Sequence, residues 1–148
     1  MNIRRPIPAV LAVVIRDGFV LLVRRANPPD AGLWGFPGGK IEFGEPLAQA
    51  AVRELFEETC VQADAGPIFT AVDAFDHNLY GSVREHYVLV ATLCRWREGE
   101  PIAGDDALEA GWYDISSLDN DLLVTSFGVT AVARQARDLA AELYGTED

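Results

Sequence analysis

A chain of 148 residues, 49% of them hydrophobic, carries enough apolar material for a packed core and reads as one domain spanning residues 1–148. It shows none of the biases of disordered, collagenous or disulfide-scaffold sequences. Twelve basic residues against 23 acidic ones leave a formal net charge of −11, which argues against binding to a nucleic acid polymer. The same surplus means that any polyanionic small molecule handled here needs cations between it and the protein.

In chain order, the first feature is the pair Arg4 and Arg5 ahead of the apolar run 7–15. Pro6 and Pro8 interrupt that run, no small-x-small cleavage site follows, and Arg16-Asp17-Gly18 ends it, so it does not read as a leader peptide. Apolar residues resume at 19–23. Two apolar runs around Asp-Gly predict a β-hairpin, because Asp and Gly tolerate the positive φ of a tight turn. Residues 24–39 are rich in Pro and Gly and are expected to form a long, functional loop. Residues 46–59 open on proline and then contain no glycine or further proline, which predicts a helix.

Segments 67–75 and 84–96 are rich in Val, Phe, Tyr and Leu and predict strands joined by a polar turn at 78–82. An acidic loop at 99–106 precedes a short strand at 110–115 around Trp112. The apolar set Val129, Val132, Ala136, Leu139, Ala140 and Leu143 then recurs at helical spacing across 128–143. Strands mixed with two helices imply an α/β domain with helices packed on a sheet. No stretch is long enough to span a bilayer. Cys60 and Cys94 stand far apart without metal-ligand or disulfide spacing, so a reducing, cytoplasmic setting is expected.

The helix at 46–59 carries the chemistry. At roughly 100° per residue, Glu57 lies about 60° to one side of Glu54 and Glu58 about 40° to the other, so the three carboxylates share a face. Leu47, Ala50 and Ala51 continue that face, while Ala48, Val52, Leu55, Phe56 and Thr59 form the stripe expected to pack on the sheet. Like charges at these spacings cost only a few tenths of a kcal/mol per pair, so a solvated acidic face is the competing reading. The functional reading is an oxygen cage for a hard divalent cation, which favours carboxylates and takes substrate phosphates as further ligands.

The residues ahead of the helix favour the cage. Gly39, five residues, Glu45, seven residues, Arg53-Glu54-Leu55, one residue, Glu57-Glu58, one residue, Cys60 and Val61 together resemble the Nudix box. The match covers 39–61 and departs from the family pattern only at Cys60, where the family has glycine. The approach Leu22-Val23-Arg24-Arg25 through Trp34-Gly35-Phe36-Pro37-Gly38-Gly39, and the late Trp112, resemble the family as well. The resemblance implies a MutT-like Nudix hydrolase with an α/β/α sandwich and mixed sheet. By the same resemblance, Glu54, Glu57 and Glu58 would hold Mg²⁺, with Mn²⁺ as an alternative, assisted by the backbone carbonyl of Gly38. Arg53 would orient a box glutamate, Glu45 would brace the loop against the helix, and Glu54 would serve as general base, with Asp105, Asp106 and Glu109 in reserve. Cys60 would follow the helix in the left-handed region, at a cost of roughly 1 kcal/mol, without a catalytic role.

The reaction so implied is attack of water on a phosphorus of a nucleoside diphosphate linked to another moiety. The segment 24–37 resembles ADP-ribose pyrophosphatases of the family. Their usual proline about sixteen residues beyond the box is absent, because position 77 is His and no proline occurs between Pro67 and Pro101. Nucleoside triphosphates and dinucleoside polyphosphates therefore remain alternative substrates, and a non-hydrolytic nucleotide sensor is the alternative class. Arg24, Gly39 and Glu109 are the candidate substrate contacts, with Arg25 beside Arg24 as a second basic side chain for phosphate and an exposed strand end as the simpler role for both. Trp34, Phe75, His77 and His86 are candidates for base stacking, with core packing as the simpler role for each. A homodimer is the assembly that the family resemblance implies.

Overall fold

The computed structural model describes residues 4–28, 30–119, 123, 125, 126 and 128–145. Strands β1 (Ile7–Arg16) and β2 (Phe19–Arg25) form the expected hairpin. Its turn residues Asp17 and Gly18 have φ of 51° and 81°, the positive values that a two-residue hairpin turn demands. The two strands stay paired only beside the turn, at Ile15↔Val20 and Arg16↔Phe19. They then part. The expected loop at 24–39 supplies two short strands to the opening: β3 (Trp34–Gly35) pairs with β2, and β4 (Gly38–Lys40) pairs with β1 through Ala9↔Lys40, Val10↔Gly39 and Leu11↔Gly38. The sheet is thus forked, with glycine-rich backbone in the fork.

On its other edge β1 runs parallel to β6 (Val83–Glu98), which pairs antiparallel with β5 (Gln62–His77). Strand β7 (Ala107–Asp114) pairs with β2. Both long strands exceed the expected 67–75 and 84–96. β5 runs back through Gly66 and Pro67 by register shifts between Ala65 and Ile68, so residues that normally stop a strand are absorbed as a bulge. β7 begins three residues before the expected 110, and a 3₁₀ turn at Ile115–Ser117 follows it.

Helix α1 (Leu47–Thr59) covers one face of the sheet and helix α2 (Val129–Tyr144) the other. Side chains alternate along the strands to feed two cores. Val13, Val20, Leu22, Ala91 and Leu93 pack under Val132, Ala133 and Ala136 of α2. Val10, Ala12, Val14, Leu21 and Cys94 pack under Ala50, Ala51 and Leu55 of α1. The architecture is an α/β/α sandwich with a mixed sheet.

The faces of α1 differ from the sequence reading. Ala50 and Ala51, assigned there to the acidic face, are fully buried, whereas Ala48 is exposed and Phe56 is 47% exposed. Small residues lie toward the sheet because they let the helix approach closely, and Glu58 is carried in with them at 7% exposure. The carboxylates therefore flank the buried stripe rather than oppose it.

Cys60 caps α1 with φ 63° and ψ 7°, its N–H bonded to the carbonyl of Phe56. This is the left-handed position that glycine fills without strain. Cys60→Gly should raise stability by about 0.5–1 kcal/mol, after the gain from relieved strain is reduced by the larger chain entropy of glycine. The denaturant midpoint at unchanged m-value measures this, and a lowered midpoint would contradict the assignment.

Candidate active site

A cleft of about 700 Å³ opens at the fork. Its walls come from β1, β2, β4, β5, β6 and the start of α2, and Glu54 and Glu58 of α1 reach its lining beside Gly38, Gly39 and Lys40. Among the described residues no helix is long and apolar enough to cross a membrane.

Arg53 organises the acid. Its Nε donates to Glu45 at 2.6 Å, its Nη2 to Glu45 at 2.9 Å and to the Lys40 carbonyl at 3.2 Å, and its Nη1 to Glu54 at 2.9 Å and Glu57 at 3.1 Å. Glu42 stands at 3.8 Å from the same nitrogen. The hydrogen bonds from Arg53 lower the pKa of Glu45, and those Glu45 accepts raise the Arg53 guanidinium in turn. Glu45 also accepts from the Glu42 N–H at 3.1 Å, which ties the loop after β4 to the helix. The bracing geometry expected of Glu45 and Arg53 is present.

Glu58 is different. Burial, then the hydrogen bond and charge of neighbouring Glu54, push its pKa up to about 9, against the pull of the Gly38 N–H that it accepts at 3.2 Å. Two carboxylates thus meet in a desolvated corner closed by glycine backbone. A Cβ on Gly39 would lie 2.5–2.6 Å from the Glu54 carboxylate, and one on Gly38 would run into the Val10 carbonyl. Neither glycine has positive φ, so close approach rather than turn geometry explains both. A divalent cation fits this donor set, since it would take the place of the proton that burial favours on Glu58. Glu57 points to Arg53 instead, and among the described residues no three acidic, His or Cys side chains converge on one point.

The acidic loop is tied to α1 by its backbone. Ile102 N–H donates to Thr59 at 2.9 Å, Gly104 N–H to Glu58 at 2.8 Å and Asp105 N–H to Glu57 at 3.1 Å. These bonds satisfy carbonyls that a helix end leaves open. Of the reserve carboxylates only Asp106 lines the cleft, and its Oδ1 accepts from Asn27 Nδ2 at 2.9 Å.

Two candidate contacts do not reach the cleft. Arg24 and Glu109 are register partners on β2 and β7, and they pair with each other at 3.2 Å. Arg25 lines the cleft instead, on the strand face it shares with Val23. Asn27 and Gly104 escaped the sequence reading, because neither stands in a motif or spacing that marks it. Trp34 is a core residue in edge contact with Tyr113, at 4.9 Å between centroids. Phe75 and His77 line the cleft, while His86 stacks on Phe75 at 4.6 Å and bonds Asp73 at 2.8 Å. Tyr80 is exposed.

The NUDIX domain family model matches residues 5–132. The chain belongs to the NUDIX family. It is 33% identical over 113 residues to the ADP-ribose pyrophosphatase of Methanocaldococcus jannaschii, across 76% of this NUDIX chain and 64% of that relative, so it spans less than two thirds of the relative's length. The crystal structure of a MutT NUDIX hydrolase from Burkholderia pseudomallei superposes with a TM-score of 0.75 at 30% identity, covering 89% of this chain and 98% of that one. A bifunctional NMN adenylyltransferase/ADP ribose pyrophosphatase from Francisella tularensis, complexed with AMP and a manganese ion, superposes at 0.69 with 26% identity, over 96% of this chain and 43% of that one.

The raised pKa of Glu58 has a sign that can be checked. The folded chain holds a proton that the unfolded chain releases above about 4.5, so this group's stabilisation is complete below that pH. It is lost as pH rises toward about 9. In chelator, Glu58→Gln should flatten that decline, by of order 1 kcal/mol per pH unit in the denaturant midpoint. Wild-type and variant curves that run parallel from about pH 5 to about pH 9 would refute the buried-proton assignment, which requires their slopes to differ by about one proton in the linkage relation.

Proposed function

We propose that this chain is a Mg²⁺-dependent pyrophosphohydrolase that cleaves the phosphoanhydride of a nucleoside diphosphate linked to a second moiety, with ADP-ribose as the leading candidate. The observation that carries the proposal is Glu58, buried beside Glu54 and against Gly38 and Gly39 in the lining of a cleft large enough for a nucleotide. A carboxylate placed only for solubility has no reason to be buried beside a second one as Glu58 is beside Glu54, and a cation there would relieve the repulsion that Arg53 compensates only from the Glu54 side. Glu54, Glu58 and the Gly38 carbonyl would hold the cation, and Glu57 joins them when it turns from Arg53. Mn²⁺ would serve in place of Mg²⁺.

When bound, the cation neutralises diphosphate oxygens and acidifies water near the target phosphorus. The chain's own residues do the rest. Glu54, held by Arg53, accepts the proton of the attacking water, and Asp106 stands across the cleft as the second candidate. Of the two basic residues that the sequence offered to phosphate, Arg25 rather than Arg24 takes the role, and Gly39 leaves room for the diphosphate against its backbone. Phe36, Leu89 and Tyr87 give the cleft apolar and aromatic surface for the base. The identity to an ADP-ribose pyrophosphatase favours ADP-ribose over a triphosphate. A cytoplasmic setting agrees with the two free cysteines.

A panel of ADP-ribose, nucleoside triphosphates, dinucleoside polyphosphates and NADH, assayed with and without Mg²⁺, tests the reading. ADP-ribose should yield AMP only with the metal, and Glu54→Gln should lower kcat by roughly 10²-fold or more with saturating Mg²⁺. No turnover of any panel member would sink the enzymatic reading. Near-normal turnover by Glu54→Gln would remove Glu54 as the base.

A further inference from the structure

Gly104 stands in a loop whose only sequence signal is its acidity. Its φ is not in the left-handed region, so backbone conformation does not require glycine there. Space does. A Cβ would collide with the carbonyl oxygen of Glu57 and lie 3.2–3.3 Å from the carbonyl carbons of Glu57 and Glu58. The loop is pressed onto the end of α1 at the two residues whose side chains belong to the acidic cluster.

The contact is continuous. Three consecutive carbonyls of the last turn, those of Glu57, Glu58 and Thr59, accept from Asp105, Gly104 and Ile102. Two residues beyond Gly104 comes Asp106, whose φ of 62° and bonds from Ala26 N–H at 3.1 Å and Asn27 Nδ2 at 2.9 Å fix it on the opposite wall of the cleft. The helix end, the loop and the β2–β3 segment are thereby joined by main-chain hydrogen bonds. The two carboxylates that these segments bring to the cleft, Glu58 from α1 and Asp106 from the loop, have their backbones in one bonded unit. Sub-ångström registry between such walls is what catalysis by positioning requires, and losses of about 1 Å cost up to about 10²-fold.

We infer that Gly104 is a positioning residue for the reaction: it lets loop 102–106 seat on the C-terminal turn of α1 and so sets Glu57, Glu58 and Asp106 relative to one another. The inference rests on the reading of the acidic cluster as a cation-binding active site. A glycine needed only for stability would leave the rate of the folded enzyme alone. A positioning glycine would not.

The test uses the full chain and Gly104→Ala, assayed on ADP-ribose with Mg²⁺ well below the melting temperature, and titrated with Mg²⁺ alone by thermal shift. We expect kcat to fall at least about tenfold with KM within about threefold, and the Mg²⁺ midpoint to rise by about threefold or more. Should Gly104→Ala not fold, Ile102→Gly combined with Ala103→Gly loosens the same loop without a collision, since both side chains are exposed. That variant should show the same pattern at about two- to fivefold. A lowered melting temperature with kcat and the Mg²⁺ midpoint both at wild-type values overturns the inference in either variant. If the wild type itself is inactive on ADP-ribose, the substrate reading fails while the Mg²⁺ comparison still decides the role of Gly104. A wild type with no Mg²⁺-induced shift overturns the site and the inference together.

Discussion

Two carboxylates that share a desolvated corner cannot both be charged without a cation between them, and the organisation of this protein follows from that constraint. Glu58 is drawn inward because α1 docks on the sheet through Ala50, Ala51 and Leu55, and position 58 lies at the edge of that docked stripe. Glu54 meets it there. Gly38 and Gly39 are glycines because the β4 backbone closes the corner at a distance that admits no side chain. Arg53 then supplies permanent positive charge just outside, bonded to Glu45, Glu54 and Glu57, so that the acidic helix is tolerable before any metal arrives.

The fork in the sheet converts that corner into a site. If β1 and β2 had remained paired along their length, the space now occupied by β3 and β4 would be closed and the carboxylates would face a continuous sheet. Because pairing stops after Val20, glycine backbone enters beside β1, and a cleft forms whose walls are anchored to the two cores. Rigidity comes from the parallel β1–β6 ladder and the long β5–β6 hairpin. The variable chemistry sits on the loops. A chain carrying a net charge of −11 can hold a diphosphate here only by interposing cations, and Arg25 is the basic side chain from β2 on that lining.

The acidic loop shows how a segment reads differently once it is placed. Its carboxylates suggested chemistry, and of those only Asp106 faces the cleft. Its backbone proved as consequential as its charges, since three N–H groups close the end of the carboxylate helix. Arg24 and Glu109 went the other way: candidates for contact with substrate, they pair with each other across β2 and β7.

What the sequence determined by itself was everything encoded by local spacing. The turn at Asp17-Gly18, the helix at 46–59 and the common face of Glu54, Glu57 and Glu58 follow from backbone preferences and helical spacing within a few residues, whereas the left-handed cap at Cys60 was legible only through the glycine that the family carries there. The spacing of the box sufficed for the family. Tertiary structure alone decided which side of α1 is buried, because Ala48 and Ala50 are equally apolar and only the close approach of the sheet distinguishes them. It alone decided that Arg25 rather than Arg24 reaches the cleft, because which face of β2 meets the cleft and which meets Glu109 of β7 is set by packing. It alone gave Gly104 its reason, because the carbonyl it lies against belongs to a helix more than forty residues earlier in the chain. Contacts between segments far apart in sequence are set by packing and register, and no local pattern records them.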